Sequence, residues 1–383
     1  MRVDVVPGIT NIEAGQWNAL AGRENPFITH EFLAALENSG CTGEGTGWIP
    51  QHLIVLDDTH RLIAAAPAYI KLHSYGEYVF DWAWANAYER AGLAYYPKIV
   101  LAVPFSPVSG PRLLLDPTAD PDAVRSLLIG GAEKLARHLR ASSIHCLFPV
   151  EDDLAALETH GWLKRTGYQF HWQNQDYADF EGFLRGFSAQ KRKKIKRERR
   201  SVRESGVLLE VRAGTDVSDQ HWRFFYECYC ATIEKHGGIA YLNLDFFLTL
   251  GQTMPEKVVL VLASRDHRYI AAALNLIGRD TLFGRYWGQI ESVEHLHFEA
   301  CYYTPIEHCI RNRLRRFEAG AQGEHKLNRG LLPAPTYSAH WLSHPDFSQA
   351  IADFLMHEHR GVEYHMHELN EHGPFKRGPG QKP

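Results

Sequence analysis

Cysteine is sparse and irregular in this 383-residue chain. The six residues (Cys41, Cys146, Cys228, Cys230, Cys301 and Cys309) form no Cys-x-x-Cys pair and no framework. That argues against a disulfide scaffold and fits reduced thiols in a cytosol. No Walker pattern and no dinucleotide fingerprint is present, so neither nucleotide-binding motif supplies a function. The histidines at 357, 359, 365, 367 and 372 include no His-Glu-x-x-His. His357 and His359 would point to different faces of a helix, so a histidine-rich surface helix is expected there and not a metal site. The start, Met1 to Pro7, lacks the apolar core of a signal peptide, and no later run is long enough to span a bilayer. A cytoplasmic protein without a transmembrane segment is the expectation. Formal net charge is only −4, so any nucleic-acid role has to come from a local patch and not from composition.

What the chain does have is length for two cores and a repeated pattern of α/β signals. Strands are expected over 52–56, 62–72 and 78–84, a helix over 122–140, and further strands over 144–148 and 163–172. The first domain is taken as 1–174. The second, 175–372, opens with a helix over 183–204 and continues with a strand at 207–211 and helices at 219–236 and 244–250. Strands over 258–263, 269–277 and 281–287 precede a long helix over 293–317. A last helix covers 347–369, and the Gly-, Pro- and Lys-rich tail 373–383 reads as disordered. The repeat is visible in His60-Arg61-Leu62-Ile63-Ala64-Ala65-Ala66 against His267-Arg268-Tyr269-Ile270-Ala271-Ala272-Ala273. It extends to Phe80-Asp81-Trp82-Ala83-Trp84 against Phe283-Gly284-Arg285-Tyr286-Trp287, and to Tyr95-Tyr96 against Tyr302-Tyr303. Two tandem copies of one α/β unit follow, each a mixed sheet flanked by helices.

The densest chemistry lies between Phe283 and Gly330, where His, Glu, Cys, Tyr, Lys and Arg alternate with glycines and aromatics. Buried polar groups need partners, and glycines allow close backbone approach, so this stretch is expected to line one cleft. On a helix, Glu299 would neighbour Tyr302 and Tyr303, and His297 would sit one turn before Cys301. Glu299 or His297 can then take a proton from an attacking amine, and Tyr302 or Tyr303 can protonate a leaving group or face an oxyanion. A Cys301/His297 nucleophile pair is the alternative on the same helix. Arg285, Lys326 and Arg329 are placed to hold anionic parts of a substrate, with Tyr286, Trp287, Gln322, Glu324 and His325 lining the binding region.

From Lys191 to Arg203 the chain is strongly basic. Ile195 and Val202, one heptad apart, give it a buried seam. The exposed remainder suits a polyanion such as transfer RNA, the phosphates of a carrier, or anionic lipid. No aromatic residue is interleaved, which disfavours single-stranded nucleic acid.

Several of these segments resemble a branch of the Fem-like acyltransferases within the Gcn5-related N-acetyltransferase (GNAT) superfamily. They are Tyr95-Tyr96-Pro97-Lys98, Val103-Pro104-Phe105, Gly110-Pro111-Arg112, Gly284-Arg285-Tyr286-Trp287-Gly288, the run from Leu296 to Tyr303, and that from Gly320 to Lys326. The resemblance implies two tandem GNAT-like domains. It implies an N-acyltransferase with a peptidoglycan link, moving an acyl or aminoacyl group to a small or carrier-linked amine. No tightly bound cofactor is implied; acyl-CoA or aminoacyl-tRNA would be the co-substrate. The stretch Gly288-Gln289-Ile290-Glu291-Ser292-Val293 departs from the Gln/Arg-x-x-Gly-x-Gly/Ala turn that binds the pyrophosphate of coenzyme A, and no helical-hairpin insertion is evident. A binding module of the same fold, recognising a cell-wall precursor or another polyanion without turnover, is the rival reading.

Overall fold

The two alanine runs occupy equivalent strands. In the computed structural model, which describes residues 1–320 and 323–376, the chain divides into two units. One is Met1–Tyr168 with Pro335–Glu363; the other is Gln169–Ala334 with the chain from Tyr364 onward. The strands, in chain order, begin with β1 (Arg2–Val6), β2 (Trp48–Pro50), β3 (His52–Leu56), β4 (Leu62–Ala66) and β5 (Ala68–Lys71). β6 (Lys98–Leu101), β7 (Leu114–Leu115), β8 (Ser143–Leu147) and β9 (Leu163–Gln173) follow. The remainder are β10 (Leu208–Ala213), β11 (Val258–Arg265), β12 (Arg268–Ile277), β13 (Thr281–Gln289), β14 (Arg316–Glu318) and β15 (Leu332–Leu342).

In the first unit, β1 pairs antiparallel with β3, and β3 with β4. The β3–β4 turn is held by the Asp57 carboxylate, which accepts from the backbone N–H of Thr59 and Arg61. Pro67 then interrupts the strand. A proline has no N–H for the ladder, so the expected single strand over 62–72 becomes β4 and β5, and β5 pairs onward with β2 and β6. β6 runs parallel to β8, and β8 is antiparallel to residues 338–342 of β15. A parallel pair requires a crossover, here the helix Pro121–Leu139. Asp120 caps it, and its buried stripe includes Val124, Leu128, Ile129, Ala132 and Ala136. It lies so close to β1 that a Cβ on Gly131 would come within 2.7 Å of Val3 Cγ1.

The second unit repeats this order. β10 pairs antiparallel with β11, β11 with β12 and β12 with β13. β13 is parallel to β14, and β14 is antiparallel to residues 171–173 of β9. The β11–β12 turn is Asp266-His267, both at positive φ, the conformation of a two-residue hairpin. Helix Asp219–Lys235 covers β12 and β13. It approaches until a Cβ on Gly288 would overlap the carbonyl of Cys228, so only glycine fits there. The crossover between β13 and β14 is helical from Leu296 to Arg311 and contains a π-turn at Glu299–Tyr303.

Ala64–Ala66 and Ala271–Ala273 thus both lie on the second strand of the antiparallel hairpin. The other two repeat matches do not correspond. Residues 82–90 form the helix Trp82–Arg90, which buries Trp84 and Tyr88 four residues apart, whereas 283–287 are in β13. Tyr95-Tyr96 precede a strand, and Tyr302-Tyr303 sit in the π-turn. The helix expected over 293–317 stops at Asn312; Arg313 turns left-handed and 316–318 become β14. The expected 183–204 helix is two, Phe180–Arg185 and Ala189–Glu204, broken at 186–188. At the tail, Phe375 bridges Phe187 and Lys376 N–H donates to Gly186, so 373–376 are built into the second unit; 377–383 lie outside the described residues.

Candidate active site

A cavity of about 420 Å³ opens in the second unit where β13 and β14 part company. The two strands pair only over Thr281–Phe283 and Arg316–Glu318. Beyond that β13 continues, while the chain after β14 leaves through Ala319 and Gly320. Opposite β12, the register jumps: Leu274 pairs with Tyr286 and Asn275 with Gly284. Arg285 is the extra residue of this bulge, so its backbone groups drop out of the ladder beside the cavity.

The lining is cationic and neutral but not acidic. Arg285, Lys326, His236, His297 and His325 face it with Tyr286, Trp287, Cys301 and Tyr302, and no Asp or Glu among the described residues does. Lys326 is only 3% exposed. Its Nζ donates to the carbonyl oxygen of Gly320 at 2.7 Å, and burial pulls its pKa down to about 8. Burial, with His325, Arg329 and Lys326 adding to it, lowers His297 to about 4. His325 is shifted the same way, first by burial and then by Arg329 and Lys326. Both imidazoles are therefore neutral at neutral pH and free to accept a proton. Tyr302 Oη lies 2.9 Å from His325 Nε2, and burial raises the phenol above its ordinary range. The same desolvation raises the Cys301 thiol. A thiol held protonated is a poor nucleophile, so the Cys301/His297 pair does not have the required chemistry.

Four of the expected residues are elsewhere. Glu299 and Tyr303 do share a helix face, but it faces the helix Ala189–Glu204. Arg199 Nε donates to both Glu299 carboxylate oxygens at 3.0 and 3.1 Å, and its Nη2 reaches Glu307 at 2.8 Å. Tyr303 Oη donates to Glu198, and Arg329 Nη2 donates to both oxygens of the same Glu198 at 3.1 Å. Arg329 also stacks on Phe298, 3.4 Å from the ring centroid. Glu299 and Arg329 are consumed in ion pairs and Tyr303 in a buried hydrogen bond, and none of the three lines this cavity. Glu324 is at the surface near His365, and Gln322 lies outside the described residues. Cavity-lining Asn275 carries a legible signal, a lone amide in Ala271-Ala272-Ala273-Leu274-Asn275-Leu276; its Nδ2 donates to Val259 O at 3.3 Å. His236, just past a helix end, carries none.

The basic helix buries Ile195, Val202 and also Glu198. Lys193, Lys194, Lys196, Arg197, Arg200 and Arg203 remain exposed, with Lys196 paired to Glu181 and Arg200 to Glu204. The motifs of the first unit are structural. Arg112 is fully buried and donates to the carbonyls of Val108, Gly110 and Leu147. Lys98 is fully buried against Glu77, Asp81 and Ser74.

An antiparallel hairpin that leads into a parallel pair joined by a helical crossover is thus built twice in one chain. Residues 8–377 match the model of the FemAB-like family, described as peptidoglycan biosynthesis/recognition, and the chain belongs to that family. Among solved structures it is similar to FemX at 12% identity, with 92% of this chain and 100% of that one covered and a TM-score of 0.56. It is also similar to the C-terminal domain of a putative lysylphosphatidylglycerol synthetase from Agrobacterium fabrum (10% identity, 89% and 95% covered, TM-score 0.53). L-PGS from Bacillus licheniformis matches at 10% identity, 87% and 98% covered and a TM-score of 0.51. At these identities the likeness is one of fold. No curated protein sequence matches the chain. No helix among the described residues is long and apolar enough to cross a membrane.

Proposed function

We propose that the second unit catalyses transfer of an acyl or aminoacyl group to an amine of a peptidoglycan precursor. The observation that carries this is the cavity itself: neutral His325 hydrogen-bonded to Tyr302, facing buried Lys326 and the bulge at Arg285. An acceptor arrives as an ammonium and must lose a proton before it attacks. The neutral imidazole of His325 takes that proton. The free amine adds to the acyl carbonyl carbon, the new C–N bond forms, and the C–O or C–S bond to the carrier breaks. His325 passes that first proton to solvent and takes the second from the attacking nitrogen as the tetrahedral adduct collapses. Tyr302 gives its proton to the departing oxygen or sulfur and recovers one from His325. Lys326 and the bulge at Arg285 face the negative charge that builds on the carbonyl oxygen. His297, a second neutral base, packs beside these side chains, its ring 5.4 Å from that of Tyr302 and 6.0 Å from that of His325.

An aminoacyl ester on transfer RNA suits these surroundings better than acyl-CoA. The chain leading into the crossover helix carries Glu291 and Glu294, the wrong charge for a pyrophosphate at a helix N-terminus. The exposed basic face of Ala189–Glu204 supplies phosphate contacts in the same unit. The test is transfer of labelled amino acids from a charged transfer-RNA pool, and of acetyl from acetyl-CoA, to peptidoglycan precursors with a free stem amine. Transfer from the charged pool that vanishes in His325→Ala supports the reading. Absence of transfer from both donors, with precursor binding intact, sinks it and leaves a recognition module.

A further inference from the structure

The π-turn at Glu299–Tyr303 divides the crossover helix into two working faces, and only one has been used so far. His297, Cys301 and Tyr302 look into the cavity described above. Glu299, Thr304, Glu307, His308 and Arg311 look the other way, into a second cavity of about 410 Å³. Its opposite wall is the basic helix and the edge strand β10. We infer that this second cavity is a binding site for an anionic amphiphile, an alkyl chain ending in a carboxylate or phosphate.

The floor is apolar: Val202, Val207, Leu209 and Val211, continued at the mouth by Leu208, which is 73% exposed. The cavity is open to solvent and its polar side chains gather on the walls away from this floor, so the floor's apolar surface is left against water. An alkyl chain fills the cavity and removes apolar surface from solvent. The charges set the head group. Arg199 is already shared between Glu299 and Glu307, so neither acid is free to hold a cation. Arg203 is exposed at the rim, and Arg311 sits 3.7 Å from Glu307 at a side chain that is 72% exposed. Three arginines against two glutamates leave the lining with one positive charge in excess. That charge lies at the mouth, where an anionic head would sit while its chain points inward. π-Turns inside helices frequently mark functional sites; this one lets a single helix wall two cavities.

The experiment is calorimetric titration of the full chain with decyl phosphate and decanoate, both below their aggregation concentrations. Inorganic phosphate, decyltrimethylammonium and phosphatidylglycerol vesicles are run in parallel. One-to-one binding of either single-chain anion is expected, weakening about fourfold for each methylene removed. Arg203→Glu with Arg311→Glu should weaken it by about tenfold or more. Lys326→Met, in the first cavity, should leave it unchanged, which separates this site from the transferase reading. Both arginines are surface residues, so the charge-reversed protein should keep its unfolding midpoint; if it does not, Leu209→Phe, which narrows the floor, must weaken the decyl probe more than the hexyl one. Equal binding of the cationic amphiphile, binding lost in Lys326→Met, or binding to vesicles without binding to monomers overturns the proposal.

Discussion

Lys326→Met should make the protein more stable and less able to hold its substrate. Lys326 has an ordinary pKa of 10.5 when exposed and about 8 in the fold. The unfolded chain therefore keeps a proton between these values that the folded chain has released, so stability contributed by this residue rises with pH across that window. At pH 7 both states are charged, and the cost of burying the ammonium is about 3 kcal/mol, at 1.36 kcal/mol per pKa unit. The hydrogen bond to the Gly320 carbonyl offsets part of that cost. Methionine is similar in length and carries no charge, so it recovers most of that cost, less a small loss for the unpaired carbonyl. Urea unfolding of both proteins at pH 7 and pH 9.5, followed by tryptophan fluorescence, is the assay. The variant should be more stable by roughly 2 kcal/mol at pH 7, with the gap shrinking by about as much at pH 9.5 as the wild-type lysine deprotonates. Transfer activity should fall in the same variant. A variant that is less stable, by an amount independent of pH, would show Lys326 to be a strut and not a cation held ready for a substrate.

Removing His325 should lower transfer by about 100-fold or more with precursor affinity kept, and Tyr302→Phe by less, measured as kcat against KM. Glu299→Ala should leave kcat within a few-fold yet cost about 1–2 kcal/mol in urea unfolding, because it leaves the partly buried Arg199 with Glu307 alone. The Glu318 carboxyl, buried and opposed only by Arg316 and Arg285, is pushed up to about 7. The folded chain therefore holds a proton that the unfolded chain releases above about pH 4.5, and stability should fall as pH rises from there toward 7. Subtracting the profile of Glu318→Gln should isolate that slope; parallel profiles would place the carboxyl in contact with water. Reversing Lys193, Arg197 and Arg200 should weaken transfer-RNA binding steeply at low salt and hardly at all at high salt, read as the slope of log affinity against log salt.

One of the three repeat matches, the alanine run, was legible in the residues. The alanine run preceded by a turn signal specifies a buried hairpin strand, and its small side chains pair with a strand of large aliphatic ones, His52–Leu56 in one unit and Val258–Arg265 in the other. The aromatic matches misled because Trp and Tyr satisfy either periodicity. At 82–90 the spacing of Trp84 and Tyr88 is helical, and at 283–287 it is not. Nothing local could reveal that β15 completes the first unit's sheet while β9 completes the second's. Each last strand lies far in sequence from the strands it joins, and strand pairing at that separation leaves no mark on the sequence around it.

The cluster between Phe283 and Gly330 does converge, but not every charge in it does the same work, and the reason is energetic. A buried carboxylate needs a cation, and this chain supplies Arg199 and Arg329 from the helix and turn that pack against the crossover, so Glu299 and Glu198 are neutralised where they stand. Lys326 has no carboxylate among the described residues that line the cavity, while Arg285 has Glu318 behind it. That imbalance is what a sequence hides, since each lysine and glutamate looks equally available until pairing is known. It is also what a substrate reads. A cavity with spare positive charge and neutral bases at its wall attracts an anionic carrier and still leaves an amine deprotonated beside it. A cavity containing Glu299 would hold the ammonium instead, at a lower pH and with no reason to let it go.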